Sequence, residues 1–516
     1  MSNMTILSSF VTAYKDSYKT APPKGSTTLH QKALFVVWLF ASIFWVYRRF
    51  GKNVWTRNER DATSPINVPV SATANENDVV IKVETEQPTP KPRYDPITLN
   101  DALFAVFTVG FILLYYYFCD YLHYFPKAER TYNRDLYMFL VFLLFAVSIY
   151  FTTTELKPSA AKLLNREQTE EWKGWMQVMF VWYHYFRAAE TYNAIRLFIA
   201  AYVWMTGFGN FSFFWIRKDY SLRRVLKMLF RLNFLVILTT LVVDNSYMLY
   251  YICAMHTFWF LSVYAMMRPF NEYNEVKKVM VMKLVIYFCI VFAIFDIPKV
   301  AELVFSPFSF VLNYNNSLHE WIFRSKLDHY VTFVGMLCAY NQPNIEKALH
   351  KLNGHRFEKV VLLIGTSVLA SLIFVWYNYV YILEKYSYNA LHPYTSFIPI
   401  LAFILLRNST AWLRSRYIVL FSILGKITLE TYISQLHIYL QDNAKSLLVY
   451  VPNYPLVNFV INTSIYLFLS NLLFQGTITL NEYIFPNDMK TVVKNIAGIG
   501  AVIAVAYLVV GMLTFF

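Results

Sequence analysis

The chain has 516 residues, of which 57% are apolar and only 15% charged, against roughly 45–50% and about 25% in soluble globular domains. That balance excludes a soluble enzyme, a disordered chain and a fibrous one. A formal net charge of +14 would point a soluble protein toward nucleic acid, but here most basic residues sit in short loops beside apolar blocks. In that position they orient a chain in the bilayer and imply no nucleic-acid partner.

The apolar residues gather in blocks of 15 to 23, near the roughly 20 that carry a helix across a membrane. After an N-terminal segment, 1–32, the block 33–47 is followed by Arg48, Arg49 and Lys52 with no small-residue cleavage site. It reads as a retained membrane anchor. Residues 48–101 form a polar stretch read as a mobile linker. A multi-span region at 102–480 then holds blocks at 102–118, 137–151, 172–187, 194–214, 228–243, 247–267, 280–296, 359–381, 417–440 and 456–476, with shorter runs near 300–313, 329–341 and 394–406. The C-terminal segment 481–516 adds a last span at 497–515. The predicted fold is an all-α polytopic membrane protein with about 12–15 transmembrane or re-entrant helices. Its four cysteines show no CxxC spacing, so neither a disulfide frame nor a metal site is indicated.

Orientation follows from loop charge. Residues 217–231 carry six Lys or Arg and 268–278 carry three, while the intervening turn Asp244–Ser246 carries none. The positive-inside rule places both basic loops in the cytosol and the N-terminus in the lumen.

Ionisable residues inside spans are costly and mark sites or pairs. Lys173, Gln177 and His184 are spaced 4 and 7 apart and share one helix face, with His184 about 16 Å beyond Lys173. A histidine exchanges protons near neutral pH, as acyl transfer to a hydroxyl requires. The same spacing fits a histidine bonding across helices. His256, at the middle of its block, carries the same two readings. Lys426, Glu430, Ser434 and His437 fall on one face of the 417–440 block, where Lys426 and Glu430 can neutralise each other. The run 318–330 (LHEWIFRSKLDHY) holds His319, Glu320, Arg324, Asp328 and His329, too many charges to cross lipid; it is a loop or the lining of a polar ligand site. Asp120 and His123 form a DxxH string beside Tyr and Phe, for which chance is the better explanation. GxSxG, HExxH, GxGxxG and Walker patterns are absent from the sequence.

Long strings carry a family resemblance: EQTEEWKGWMQVMFVWYHYFRAAETYNAIRLFIAAYVWMTGFGNFSFF (167–214), SYMLYYICAMHT (246–257), LHEWIFRSKLDHY (318–330), HPYTSFIPI (392–400) and GKITLETYISQLHIYL (425–440). The chain resembles the reduced wall acetylation proteins of plants, within the ten-transmembrane acyltransferase family that includes the animal sialate O-acetyltransferase. The resemblance covers most of residues 100–480. It implies an acyltransferase-type bundle in the Golgi membrane that O-acetylates glycans or polysaccharides. The donor is acetyl-CoA, acting as a substrate with no bound cofactor and no metal. Wider relatives carry an Arg-x10-His signature in an early span; Lys173 and His184 have that spacing, with lysine in place of arginine. Animal members add a lumenal serine-hydrolase-like domain that this sequence lacks, which leaves room for a lumenal partner acetyltransferase.

On this reading His184, backed by His256, is the catalytic candidate. Lys173, Gln177, Arg196, Arg217, Lys218, His319, Arg324, Asp328, Glu430 and His437 are candidates for substrate binding, with the phosphates of acetyl-CoA docking on the 217–231 loop. Topology retention is the better explanation of that loop. The alternative function is a transporter that supplies an acetyl donor to the Golgi lumen for separate acetyltransferases, since intramembrane polar groups also suit a pathway.

Overall fold

The computed structural model describes residues 19–51, 97–156, 163–311, 318–352 and 357–515; most of the polar linker lies outside them. In chain order the helices are α1 (Leu29–Val46), α2 (Leu99–Tyr116), α3 (Arg134–Thr152), α4 (Arg166–Phe186), α5 (Tyr192–Arg217), α6 (Leu222–Val243), α7 (Tyr251–Met267) and α8 (Lys277–Asp296). They continue with α9 (Val300–Val311), α10 (Leu318–Lys326), α11 (His329–Leu352), α12 (Glu358–Trp376), α13 (Lys385–Thr395), α14 (Phe397–Arg407) and α15 (Ala411–Arg414). The last four are α16 (Val419–Lys426), α17 (Thr428–Ser434), α18 (Pro455–Ile484) and α19 (Met489–Phe515).

Ten helical segments among the described residues are long and apolar enough to cross a bilayer, or eleven if the pair α13–α14, bent by 61°, counts as one span. The hydropathy blocks gave 12 to 15, and the difference has local causes. The first turns of α4 read REQTEE and α11 carries Asn, Gln, Glu and Lys, so both are apolar on only part of their length. The 417–440 block is not one helix: it divides into a strand, α16, α17, a π-helical turn at Gln435–Tyr439 and a second strand. The outer helices expose apolar side chains, as Leu363, Phe374 and Leu513 show, which is what a lipid-facing surface requires.

Glycines set the inner packing. A Cβ on Gly174 would sit 1.9 Å from the Phe421 carbonyl oxygen, and one on Gly425 1.8 Å from that of Glu170, so α4 and α16 cross backbone to backbone. Gly207 and Gly335 let α5 and α11 do the same. Close approach through small residues is how helices associate where lipid removes the hydrophobic drive.

The two ends of the bundle differ. At one end Lys218 pairs with Glu275 and Asn274 donates to the Tyr220 hydroxyl at 2.9 Å, so the two basic loops lie together. At the other, Gln31 donates to the Val242 carbonyl at 2.8 Å, which brings the start of α1 to the turn at Asn245. A small antiparallel sheet sits at this second end: β1 (Lys127–Glu129), β5 (Ser446–Leu448) and β4 (Leu440–Gln441), in that order, pairing Lys127 with Leu448 and Gln441 with Ser446. The strands β2 (Thr153–Glu155) and β3 (Arg416–Ile418) pair at the far end of α3.

Candidate active site

The site begins with α4. Its N-terminus is capped by Asn165, which accepts from the Gln168 amide, and its polar first turns are buried because each finds a partner. Gln168 donates to the carbonyls of Leu413, Arg414 and Arg416. Glu171 takes Arg407 at 3.1 Å and the Ile418 amide at 2.6 Å. Buried polar groups without such partners would cost roughly 1–3 kcal/mol each. The helix ends where Arg187 turns left-handed (φ 54°), and His184 lies in this last turn.

Around His184 are two adjoining cavities. The first, about 580 Å³, is lined by His184, Arg196, Arg324, Glu320, Lys385, Gln435 and the tyrosines 183, 192, 251 and 432, among others. The second, about 370 Å³, shares Tyr183, His184, Asn443 and Ala444 with the first and adds Arg130, Arg187 and Lys445. The His184 Nδ1 is buried with no hydrogen-bond partner among the described residues, while its ring packs edge-on to Phe180 with centroids 4.7 Å apart. The cavity walls are held by charges behind them. Arg196 is bonded to the buried Asp328, which also lies 3.3 Å from His392 Nε2. Arg324 donates to Glu320 at 3.0 Å and stacks 4.0 Å over the Tyr251 ring, a cation–π contact.

The other candidates from the sequence fall elsewhere. Lys173 pairs with Glu170 at 2.7 Å on its own helix and does not meet His184. Gln177 accepts from Tyr202 at 3.4 Å. His256 Nδ1 is bonded to Thr206 Oγ1 at 2.7 Å, the arrangement of a histidine joining two helices. His319 is exposed on α10 and does not line either cavity. Arg217 and Lys218 end α5, 21 or more residues beyond Arg196 and so about 30 Å along one helix; they are not part of this site. The expected Lys426–Glu430 pair does not form. Glu430 is fully buried and held by Arg231, at 3.0 Å through Nη2, and Lys426 reaches Glu167 at 3.5 Å instead. The helix is interrupted at Ile427, so Lys426 and Glu430 belong to two different helices, α16 and α17, instead of one continuous face.

His437 lies behind the cavity wall, in a network that local spacing did not reveal. Its Nδ1 is 2.9 Å from Asp120 Oδ2 and its Nε2 is 2.6 Å from the Tyr250 hydroxyl; all three residues are fully buried. Asp120 also takes Lys24 at 2.9 Å and the Asp442 amide at 3.1 Å. His123 lies beside this network. Its Nδ1 is 2.6 Å from the Pro22 carbonyl and its Nε2 is 3.2 Å from Asp442, so both members of the DxxH string make tertiary contacts. That carboxylate raises the His123 pKa, and His123, followed by Lys127, holds Asp442 well below the usual carboxylate range. The sequence singles out His437 on its own block and leaves the string to chance; that the two meet is not legible in it. Arg130, Arg187 and Lys445 left no signal, because their neighbourhood exists only after folding.

The class defined by fold and site is a polytopic helical membrane protein with a cavity of mixed polar and apolar lining to which a histidine contributes. Residues 14–497 match the family model described as the 10 TM acyl transferase domain found in Cas1p, and the chain belongs to that family. It is also 33% identical over 419 residues to the N-acetylneuraminate (7)9-O-acetyltransferase of Danio rerio, covering 77% of this chain and 52% of the relative. The chain therefore spans about half the length of that relative. No solved structure matches.

Proposed function

We propose that the chain is a membrane O-acetyltransferase that moves an acetyl group from acetyl-CoA to a hydroxyl of a glycan at the Golgi membrane, with His184 as general base. The observation that carries this is His184, whose half-buried ring lines both adjoining cavities and whose Nδ1 has no hydrogen-bond partner among the described residues. The part of that imidazole open to the cavities is placed to take the proton of a sugar hydroxyl as its oxygen attacks the acetyl carbon. The new C–O bond forms as the C–S bond breaks, and the proton on His184 goes to the departing CoA thiolate. Tyrosine rings and paired arginines suit a sugar acceptor in the larger cavity. The family match and the relative's O-acetyltransferase name support the reaction class. Golgi residence and placement in the plant reduced wall acetylation branch belong to the same proposal.

Purified full-length protein given labelled acetyl-CoA and a glycan acceptor should release free CoA. His184→Gln keeps hydrogen-bonding capacity but cannot take up a proton as a base does, and should lose 10² or more in rate, about 3 kcal/mol of barrier. His256→Gln should retain most activity. Near-normal transfer by His184→Gln would overturn the assignment. Acetyl-CoA binding with no CoA released by the wild type would favour the transporter.

A further inference from the structure

The smaller cavity beside His184 carries a denser excess of positive charge than the larger one. In the larger, Arg324 is paired with Glu320 and Arg196 with Asp328, which leaves Lys385, 5.0 Å over the Tyr192 ring. The smaller is lined by Arg130, Arg187 and Lys445, and no acidic side chain among the described residues lines it. Arg130 donates to two neutral carbonyls, Lys445 at 3.1 Å and His184 at 3.2 Å, so its position is fixed while its charge is not offset. Burial, and then repulsion from Arg187, push the Arg130 pKa down. Backbone strain gathers at the same place: Arg187, Asn443 and Ala444 all have positive φ, at 54°, 55° and 63°, without being glycine. Such strain persists where surrounding structure enforces it, often at ligand sites.

We propose, resting on the reading of His184 above, that this vestibule is a diphosphate-binding subsite, taking the pyrophosphate of a nucleotide-bearing substrate whose reacting end lies at His184. Three uncompensated cations match a ligand with two or more negative charges better than a single carboxylate. Guanidinium forks fit phosphate oxygens in a bidentate manner. Two substrates could supply that chemistry: the acyl donor, through the diphosphate of CoA, or a nucleotide-sugar acceptor. At about 370 Å³ the space is within the range of small-molecule sites.

The test is equilibrium binding to the purified full-length protein in detergent. The probes are inorganic pyrophosphate, CoA, UDP and glucuronate, each at two salt concentrations. Pyrophosphate should bind and compete with CoA or with UDP; whichever nucleotide it displaces identifies the source. The double variant Arg187→Gln/Lys445→Gln changes two exposed side chains and should weaken pyrophosphate binding at least tenfold, with a shallower salt dependence. Lys218→Gln, at the other end of the bundle, should bind as the wild type does. Unchanged pyrophosphate binding in the double variant would overturn the subsite, as would glucuronate binding as tightly as pyrophosphate. His184→Gln separates the two proposals: intact pyrophosphate binding with undiminished transfer would remove His184 as base and leave the subsite standing.

Discussion

His437 and Asp120, 317 residues apart in sequence, meet at 2.9 Å in a site with no solvent exposure. The carboxylate joins the N-terminal segment through Lys24, the end of α2, and the hairpin β4–β5 through the Asp442 amide. Removing one partner of such a pair leaves the other buried and uncompensated, which costs roughly 3–5 kcal/mol. Asp120→Ala should lower thermal stability in detergent by an amount in that range. Lys24→Ala removes a cation from the same buried carboxylate and should also destabilise, but by less, because His437 and the Asp442 amide remain on Asp120. Equal small losses for both would contradict a central role for Asp120.

The crossing of α4 and α16 predicts a steric effect. Gly174→Ala or Gly425→Ala drives a methyl into a backbone carbonyl, and the resulting overpacking should cost about 3 kcal/mol. A Cβ on Gly209, in α5, would meet nothing within 4 Å. Gly209→Ala should be neutral or stabilising by up to about 1 kcal/mol. Monodisperse yield and melting temperature of the three variants check the contrast.

The contact between His123 and Asp442 makes the hairpin pH-sensitive. The folded pKa of His123 is raised above its ordinary 6.5, so its contribution is complete below about that pH and is lost as pH rises through the folded value. Asp442 is shifted down from 3.8, so its contribution is present above that value and is lost as pH falls. Protection of residues 440–448 from hydrogen exchange, corrected for intrinsic rates, should decline above neutral pH in the wild type. It should show no such decline in His123→Gln, and a flat wild-type profile would count against the pair.

Glu430 tests the choice of partner. Arg231→Gln should destabilise by about 3–5 kcal/mol, because a fully buried carboxylate loses its bidentate cation. Lys426→Gln should change stability by less than about 1 kcal/mol, since Lys426 is 41% exposed and reaches only Glu167. Chemical denaturation of the two variants in parallel separates them.

The order of residues alone was enough to define the class of the protein. Long apolar blocks can satisfy their backbone in lipid only as helices, so α5, α6, α7 and α8 stand within a few residues of the expected spans. The 3.6-residue period placed His184 on the same helix face as Lys173, about 16 Å beyond it. Which charges meet was settled only by folding. Arg231 reaches Glu430 across 199 residues and Arg196 reaches Asp328 across 132, distances over which periodicity carries no information. Folding also separated two histidines that looked equivalent in sequence, giving His256 a threonine partner and leaving the His184 Nδ1 without one among the described residues. A hydrogen bond between helices depends on how they cross, and here glycines at Gly174, Gly207, Gly335 and Gly425 fix the crossings through contacts that no local pattern encodes.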